Sequence, residues 1–463
     1  MESPSQAFYE FPTEIIHLIL GHLQTSSGGK HYLKLCSLVS HSWTFPAQSC
    51  LFSDVQLVFD NEERVYHFLE LCSRSDTNLP LCVKSLRLWR GNNRAQDDSS
   101  TLLLDRFLQC RVTKGKLLLD LFQNLVTLEL GRIEHWRLSD KAKKVLLSRF
   151  QTVLKLQLCN VVFGSVNDFQ DFTYSFPRLE SIKLVDVSLR KEDVSARRPA
   201  HQRHSSSSGS RFENVLPLLR NPLQIFKMSG SPRSSFSFDF NDPSLDIEPV
   251  LRPPSELQSI SLTVDLDGLP LFINALTPCS TLRSLTFRVT YGVSFECAEA
   301  LGKLVESSLS LQQMNIDVHS FSMNDLDPRF KHLGRVQRSS LRKLYLNFHN
   351  TPYIIPFLAR LIVPPNGFDS PLETVVIKEE TQTDLEEIDD FLQGPCFSSI
   401  QEIRCTASVR VYPRHCRGDA EFTRPDEDTA PIFMMAEKIE TLRERMPNCN
   451  AREILTIKEH YYQ

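Results

Sequence analysis

The sequence contains residues able to do chemistry, but not at the spacings that chemistry needs. Carboxylates crowd together at Glu379, Glu380, Asp384, Glu386, Glu387, Asp389 and Asp390, and a general acid/base pair is the reaction such a cluster would serve. Leu385 and Ile388 run among them at helical spacing, which marks the acidic residues as the solvated face of a helix. Cys405, His415 and Cys416 offer zinc-binding atoms. Zinc needs four convergent groups at pairable spacings and these have no second pair, so the expectation is no metal and no cofactor. Walker-type phosphate loops, GxSxG elbows, HExxH helices and dinucleotide glycine fingerprints do not occur in the sequence. The chain is therefore expected to be no enzyme: its work is binding.

Composition narrows what it binds. A length of 463 residues exceeds one ordinary core and calls for several domains or a repeat array. Net charge is -4 and the isoelectric point about 6.4, which gives no global attraction to nucleic acid or to an anionic membrane. No apolar run of membrane-spanning length occurs, and the start MESPSQAFYEFP has neither a basic region nor an apolar core. A soluble protein, cytoplasmic and/or nuclear, is expected. The 12 cysteines form no CxxC pair and read as reduced, mostly buried small apolar residues.

The elements that must present a binding surface begin at residue 11. Pro12 suits the first turn of a helix, and Ile15, Ile16, Ile19 and Leu23 recur at the spacing of one buried face. Ser26, Ser27, Gly28 and Gly29 turn the chain, after which Leu33, Leu35, Cys36, Leu38 and Val39 start a second apolar helical segment that Pro46 is expected to end. So small a block needs a partner chain or the following domain to cover its apolar residues. Phe11, Pro12, Glu14, Ile15, Ile16, Ile19, Leu23, Leu35, Val39, Ser40 and Trp43 match the pattern of the F-box, which this stretch resembles, with Phe11 where leucine is usual.

Beyond residue 51 a different period takes over. The signature apolar-x-x-apolar-x-apolar appears as FSDVQL from Phe52, VKSLRL from Val83, LVTLEL from Leu125, VLKLQL from Val153, LESIKL from Leu179 and LQIFKM from Leu223. It continues as LQSISL from Leu257, LRSLTF from Leu282, LQQMNI from Leu311, LRKLYL from Leu341, LETVVI from Leu372 and IQEIRC from Ile400. Successive starts lie 31, 42, 28, 26, 44, 34, 25, 29, 30, 31 and 28 residues apart, mostly at or just above the period of a leucine-rich repeat. Helical stripes fall between them: Leu138, Ala142, Val145 and Leu146; Leu301, Leu304 and Val305; Leu385, Ile388, Phe391 and Leu392. The array resembles the leucine-rich repeats that often follow an F-box, although the asparagine usual after the strand is mostly missing.

The predicted fold class is α/β: a small all-α F-box module at 1–50, then a leucine-rich-repeat-like strand-helix solenoid, a horseshoe, at 51–430. Insertions are expected near 190–211, basic and serine-rich, and near 230–254; the interval from 83 to 125 leaves room for a degenerate repeat. Ile432, Met435, Ile439, Leu442 and Met446 predict a C-terminal helical cap at 431–463.

Alternate positions of each strand face outward, onto the concave side of such a horseshoe. From Val83 onward the charged ones are Arg87, Lys155, Lys183, Lys227, Arg288, Lys343, Lys378 and Arg404 against Glu129, Asp317 and Glu402, with Trp89 and Tyr345 on the same face. That balance suits an acidic or phosphorylated protein substrate. The F-box resemblance implies a substrate-recognition subunit of an SCF-type cullin-RING ubiquitin ligase, binding a Skp-type adaptor and through it the cullin and RING subunits. Motif match assigns Pro12, Ile15, Ile16, Ile19, Leu35, Val39 and Trp43 to the adaptor face or its immediate support. The alternative is a repeat scaffold that binds proteins without a ligase.

Overall fold

The structure, a computed structural model, describes residues 11–26, 28–74, 78–91, 99–112, 116–190, 254–264, 269–289, 295–318, 340–348, 371–378, 385–394, 397–410 and 430–462. It opens with three short helices, α1 (Thr13–Thr25), α2 (Gly29–Cys36) and α3 (His41–Leu51). Pro12 stands just outside α1, where no backbone donor is required, and its carbonyl accepts the first bond from the Ile15 amide at 3.0 Å. Gly28 makes the turn into α2 with a φ of 80°, and a Cβ on Gly29 would lie 1.9 Å from the Leu23 carbonyl oxygen, so only glycine allows the two helices to meet so closely. Ile16, Leu20, Leu33 and Ala47 form a core of their own, backed by Leu23, Cys36, Trp43, Cys50 and Leu51.

Two local expectations change here. Pro46 does not end a helix: it lies buried within α3 beside Ala47. The buried face of α1 is Ile16 and Leu20, so Ile15 and Ile19 sit on a second, outward-facing apolar side.

The rest is built on one parallel sheet of 12 strands. In chain order these are β1 (Asp54–Val58), β2 (Ser85–Trp89), β3 (Thr127–Gly131), β4 (Lys155–Cys159), β6 (Ser181–Val185), β8 (Ser259–Val264), β9 (Ser284–Val289), β10 (Gln313–Val318), β11 (Lys343–Phe348), β12 (Thr374–Lys378), β13 (Glu402–Arg410) and β14 (Leu455–Tyr462). A second pair, β5 (Val162–Phe163) with β7 (Ser188–Leu189), follows the strands of the fourth and fifth repeats. Each main strand pairs with its neighbours in sequence order, which is the topology of a solenoid. Helices α4 (Glu62–Ser73), α5 (Leu79–Cys82), α6 (Ser99–Leu108), α7 (Asp140–Arg149), α8 (Val166–Tyr174), α9 (Leu269–Leu276) and α10 (Phe295–Ser307) alternate with the strands. Asn61, Ser139 and Ser165 start α4, α7 and α8 by accepting from backbone amides of Arg64, Ala142 and Asp168.

Register stacks like on like. Leu86, Leu128, Leu156, Ile182, Ile260 and Leu285 occupy one row of consecutive strands, all buried, and Leu88, Leu130, Leu158, Leu184, Leu262 and Phe287 a second. Alternate residues leave the core, as period two requires. Eleven of the twelve signatures become strands of this sheet. The remaining one, LQIFKM with Lys227, lies outside the described residues, and β6 pairs directly with β8, so it supplies no strand between them. No strand separates β2 from β3 either: the interval holds α6 and a 3-10 turn at Leu118–Leu121.

At the far end the segment from 431 is not purely helical. Helices Ala430–Arg445 and Pro447–Ala451 are followed by β14, which extends the sheet beyond β13. Leu455 and Ile457 alternate with Thr456 and Lys458, the period of a strand, and pack against the main core. Among the acidic residues, Asp389 leaves the solvated face: it is 1% exposed and accepts from the amides of Asn448 at 2.8 Å and Cys449 at 2.9 Å. Glu379, Glu380, Asp384, His415 and Cys416 lie outside the described residues.

Candidate protein-binding surfaces

Two surfaces stand out, one apolar and one polar. Nine of the thirteen large apolar side chains exposed among the described residues belong to the helical module: Phe11, Ile15, Leu18, Ile19, Tyr32, Leu35, Leu38, Val39 and Phe45. Leu38 is 82% and Val39 68% exposed, in the turn between α2 and α3. Residues so apolar and so concentrated are what a partner interface looks like before its partner arrives. Of the seven residues that motif match assigned, Pro12, Ile15, Ile19, Leu35 and Val39 are exposed, Trp43 is half-buried with its ring edge-on to Phe11 at 6.3 Å, and Ile16 is 1% exposed. Ile16 is therefore support within the core, not part of the face. Leu18 and Leu38, which no motif position named, are the most exposed of the set.

The second surface is the outward face of the sheet. Register brings residues about a repeat apart into contact there, and most of its arginines meet carboxylates. Arg87 pairs with Asp54 at 2.7 Å and with Glu129 at 3.5 Å, one on each neighbouring strand. Glu129 accepts from Trp89 Nε1 at 3.0 Å, and a Cβ on Gly131 would come within 2.3 Å of the Trp89 ring, so the indole lies flat over a backbone that only glycine leaves bare. Farther along, Arg288 pairs with Asp317 at 2.6 Å, Asn347 donates to the same carboxylate at 2.9 Å, and Arg404 forms a two-pronged pair with Glu402. The hydrogen bond from Arg404 holds the Glu402 carboxyl below its usual range.

The excess of positive charge read from sequence thus shrinks on folding. Lys155, Lys183 and Lys343 stay exposed with no ion pair among the described residues, and Tyr345 is half-buried between its neighbours. Lys378 ends β12. Burial pushes the Cys72, Cys110 and Cys297 thiols up to about 12, 11 and 12, away from any reactive thiolate. Among the described residues no group of three or more potential ligands could hold a metal ion, and no helix is long and apolar enough to cross a membrane.

No protein-family model matches this chain, and no curated protein matches it. Among solved structures it is similar to the complex of Rad7 and Elc1 in yeast, at 12% identity and a TM-score of 0.26 over 85% of this chain and 88% of that one.

Proposed function

We propose that this chain is the substrate-recognition subunit of an SCF-type cullin-RING ubiquitin ligase, with the helical module binding a Skp-type adaptor and the sheet face holding a protein substrate. One observation carries the reading: a module with its own small core keeps a second apolar face uncovered, and that face contains the exposed positions of the F-box pattern. A solvent-exposed face this apolar is costly to keep unless a partner covers it. Tethering substrate beside a separately bound conjugating enzyme raises effective concentration, so the chain itself needs no reacting group.

The test is a pull-down of the full-length chain with a Skp-type adaptor. Ile15→Asp with Val39→Asp changes only exposed positions, so the variant should fold and lose adaptor binding. By contrast, Ile16→Ala opens the module core and should cost about 2–5 kcal/mol, whereas Ile15→Ala should shift stability by less than about 0.5 kcal/mol. Absence of adaptor binding by the intact chain would reject the ligase reading and leave the scaffold alternative.

A further inference from the structure

Two arginines just past strand ends, one after β3 of the long sheet and one after β7 of the short one, behave differently from those paired across strands. Arg132 follows β3 with a φ of 57° and places its guanidinium over the Trp89 indole, 5.8 Å from the ring centre. Arg190 follows β7, its amide held by the Phe163 carbonyl at 2.7 Å, and lies over Trp136 at 4.1 Å. Both side chains are exposed, and neither makes an ion pair among the described residues. Two of the carboxylates nearby are occupied, Glu129 by Arg87 and Trp89 and Glu134 by Arg90 and Arg137, and Asp168 lies beside Trp136.

Stacking fixes a guanidinium in position while leaving its in-plane N–H fork unused, and that fork matches a carboxylate in two-pronged fashion. Arg132 rests on Trp89 and Arg190 on Trp136, whose ring also carries the ion-paired Arg137 at 4.9 Å, so these are two separate anion-binding points and not one convergent pocket. Two indoles beside them add aromatic contact area of the kind that dominates binding hot spots. Arg132 follows β3 and Arg190 follows β7, with the β4 repeat between them, and an extended chain advancing about 3.3 Å per residue spans such repeats with acidic side chains a few residues apart. We infer that the rim formed by Trp89, Arg132, Trp136 and Arg190 docks an extended acidic segment, rich in Asp and Glu, of the protein substrate. This deepens the proposed function, since it names the substrate class for the face assigned there.

The probe is a fluorescein-labelled peptide of alternating Glu and Ser, followed by anisotropy with the full-length chain and no adaptor. Two of the three tryptophans lie in the rim, so intrinsic emission should shift on binding as well. Arg132→Asn tolerates the left-handed backbone; combined with Arg190→Gln it should weaken binding at least tenfold while circular dichroism stays unchanged. Arg132→Lys with Arg190→Lys keeps the charge but loses the fork, and should recover only part of the affinity. Equal binding by the native chain and the folded double variant, full recovery by lysine, or no binding of the peptide at all would overturn the proposal. Tighter binding of a serine-phosphorylated peptide or of single-stranded DNA of equal charge would overturn it too, in favour of phosphate. Because no adaptor is present, these outcomes are independent of the pull-down that tests the ligase reading.

Discussion

At the residue scale, His135 is the least comfortable group in the array. It is 4% exposed, set against Phe163 at 4.9 Å and Phe172 at 5.5 Å, and neither ring nitrogen has a hydrogen-bond partner among the described residues. Burial, reinforced by Lys143 and opposed by Asp168, pushes the imidazole down to about 4 from an ordinary 6.5. The folded chain therefore keeps the ring neutral while the unfolded chain takes up a proton near pH 6.5, so stability falls as pH drops through the window from 6.5 to 4. At pH 5 the loss is about 2 kcal/mol. Replacing His135 with Leu removes the titrating group and should abolish that part of the pH dependence, read by urea unfolding at pH 7.5 and 5. An unchanged difference between the two pH values would show that the ring is already solvated in the folded chain.

At the element scale, one buried carboxylate caps the last helix of the chain's described residues. Asp389 reaches from helix Leu385–Phe391 to the start of helix Pro447–Ala451, where two backbone amides would otherwise lack acceptors. The same contact with Asp389, after burial, raises the Cys449 thiol. Asp389→Ala should cost about 1–2 kcal/mol, the usual value of a lost cap, and should speed hydrogen exchange in residues 447–462 before it does so in β1 to β4. Uniform acceleration across the sheet would mean that the terminal unit is not separately anchored. The sequence showed the helix and the charge but not this use, because helical periodicity assigns Asp389 a position only relative to its own helix.

For the whole molecule, nearest-neighbour pairing makes stability a sum of local interfaces. The joint between β6 and β8 is closed in both layers: Ser181 to Val185 pair with Ser259 to Thr263, and on the helical side Tyr174 of α8 donates to the Ala275 carbonyl of α9 at 3.1 Å. Among the described residues, β6 and β8 pair with no strand between them. Replacing residues 195–250 with a flexible linker of about ten Gly and Ser residues, enough to run back along one strand, should leave circular dichroism and exchange protection of β6 and β8 unchanged. Loss of protection in both strands would show that the interval is structural.

What the sequence alone determined was the run of eleven period-two strands from β1 to β13, but neither β14 nor the helix that continues through Pro46. Leucine, isoleucine and valine at period two must point to one side of a strand whatever else the chain does, so signatures from FSDVQL to IQEIRC were readable without any partner. What only the tertiary structure decided was which side of an element meets another. Ile15 and Ile16 are equally apolar neighbours, yet one is exposed and the other enters the core, because helices α2 and α3 cover a single face of α1. Arg87 and Asp54 stand 33 residues apart, and Arg288 and Asp317 stand 29 apart, so only strand register turns them into pairs and cancels charges that the sequence presents as free. Local spacing fixes the pattern within an element; the contacts that neutralise, bury or expose a side chain come from the elements folded against it.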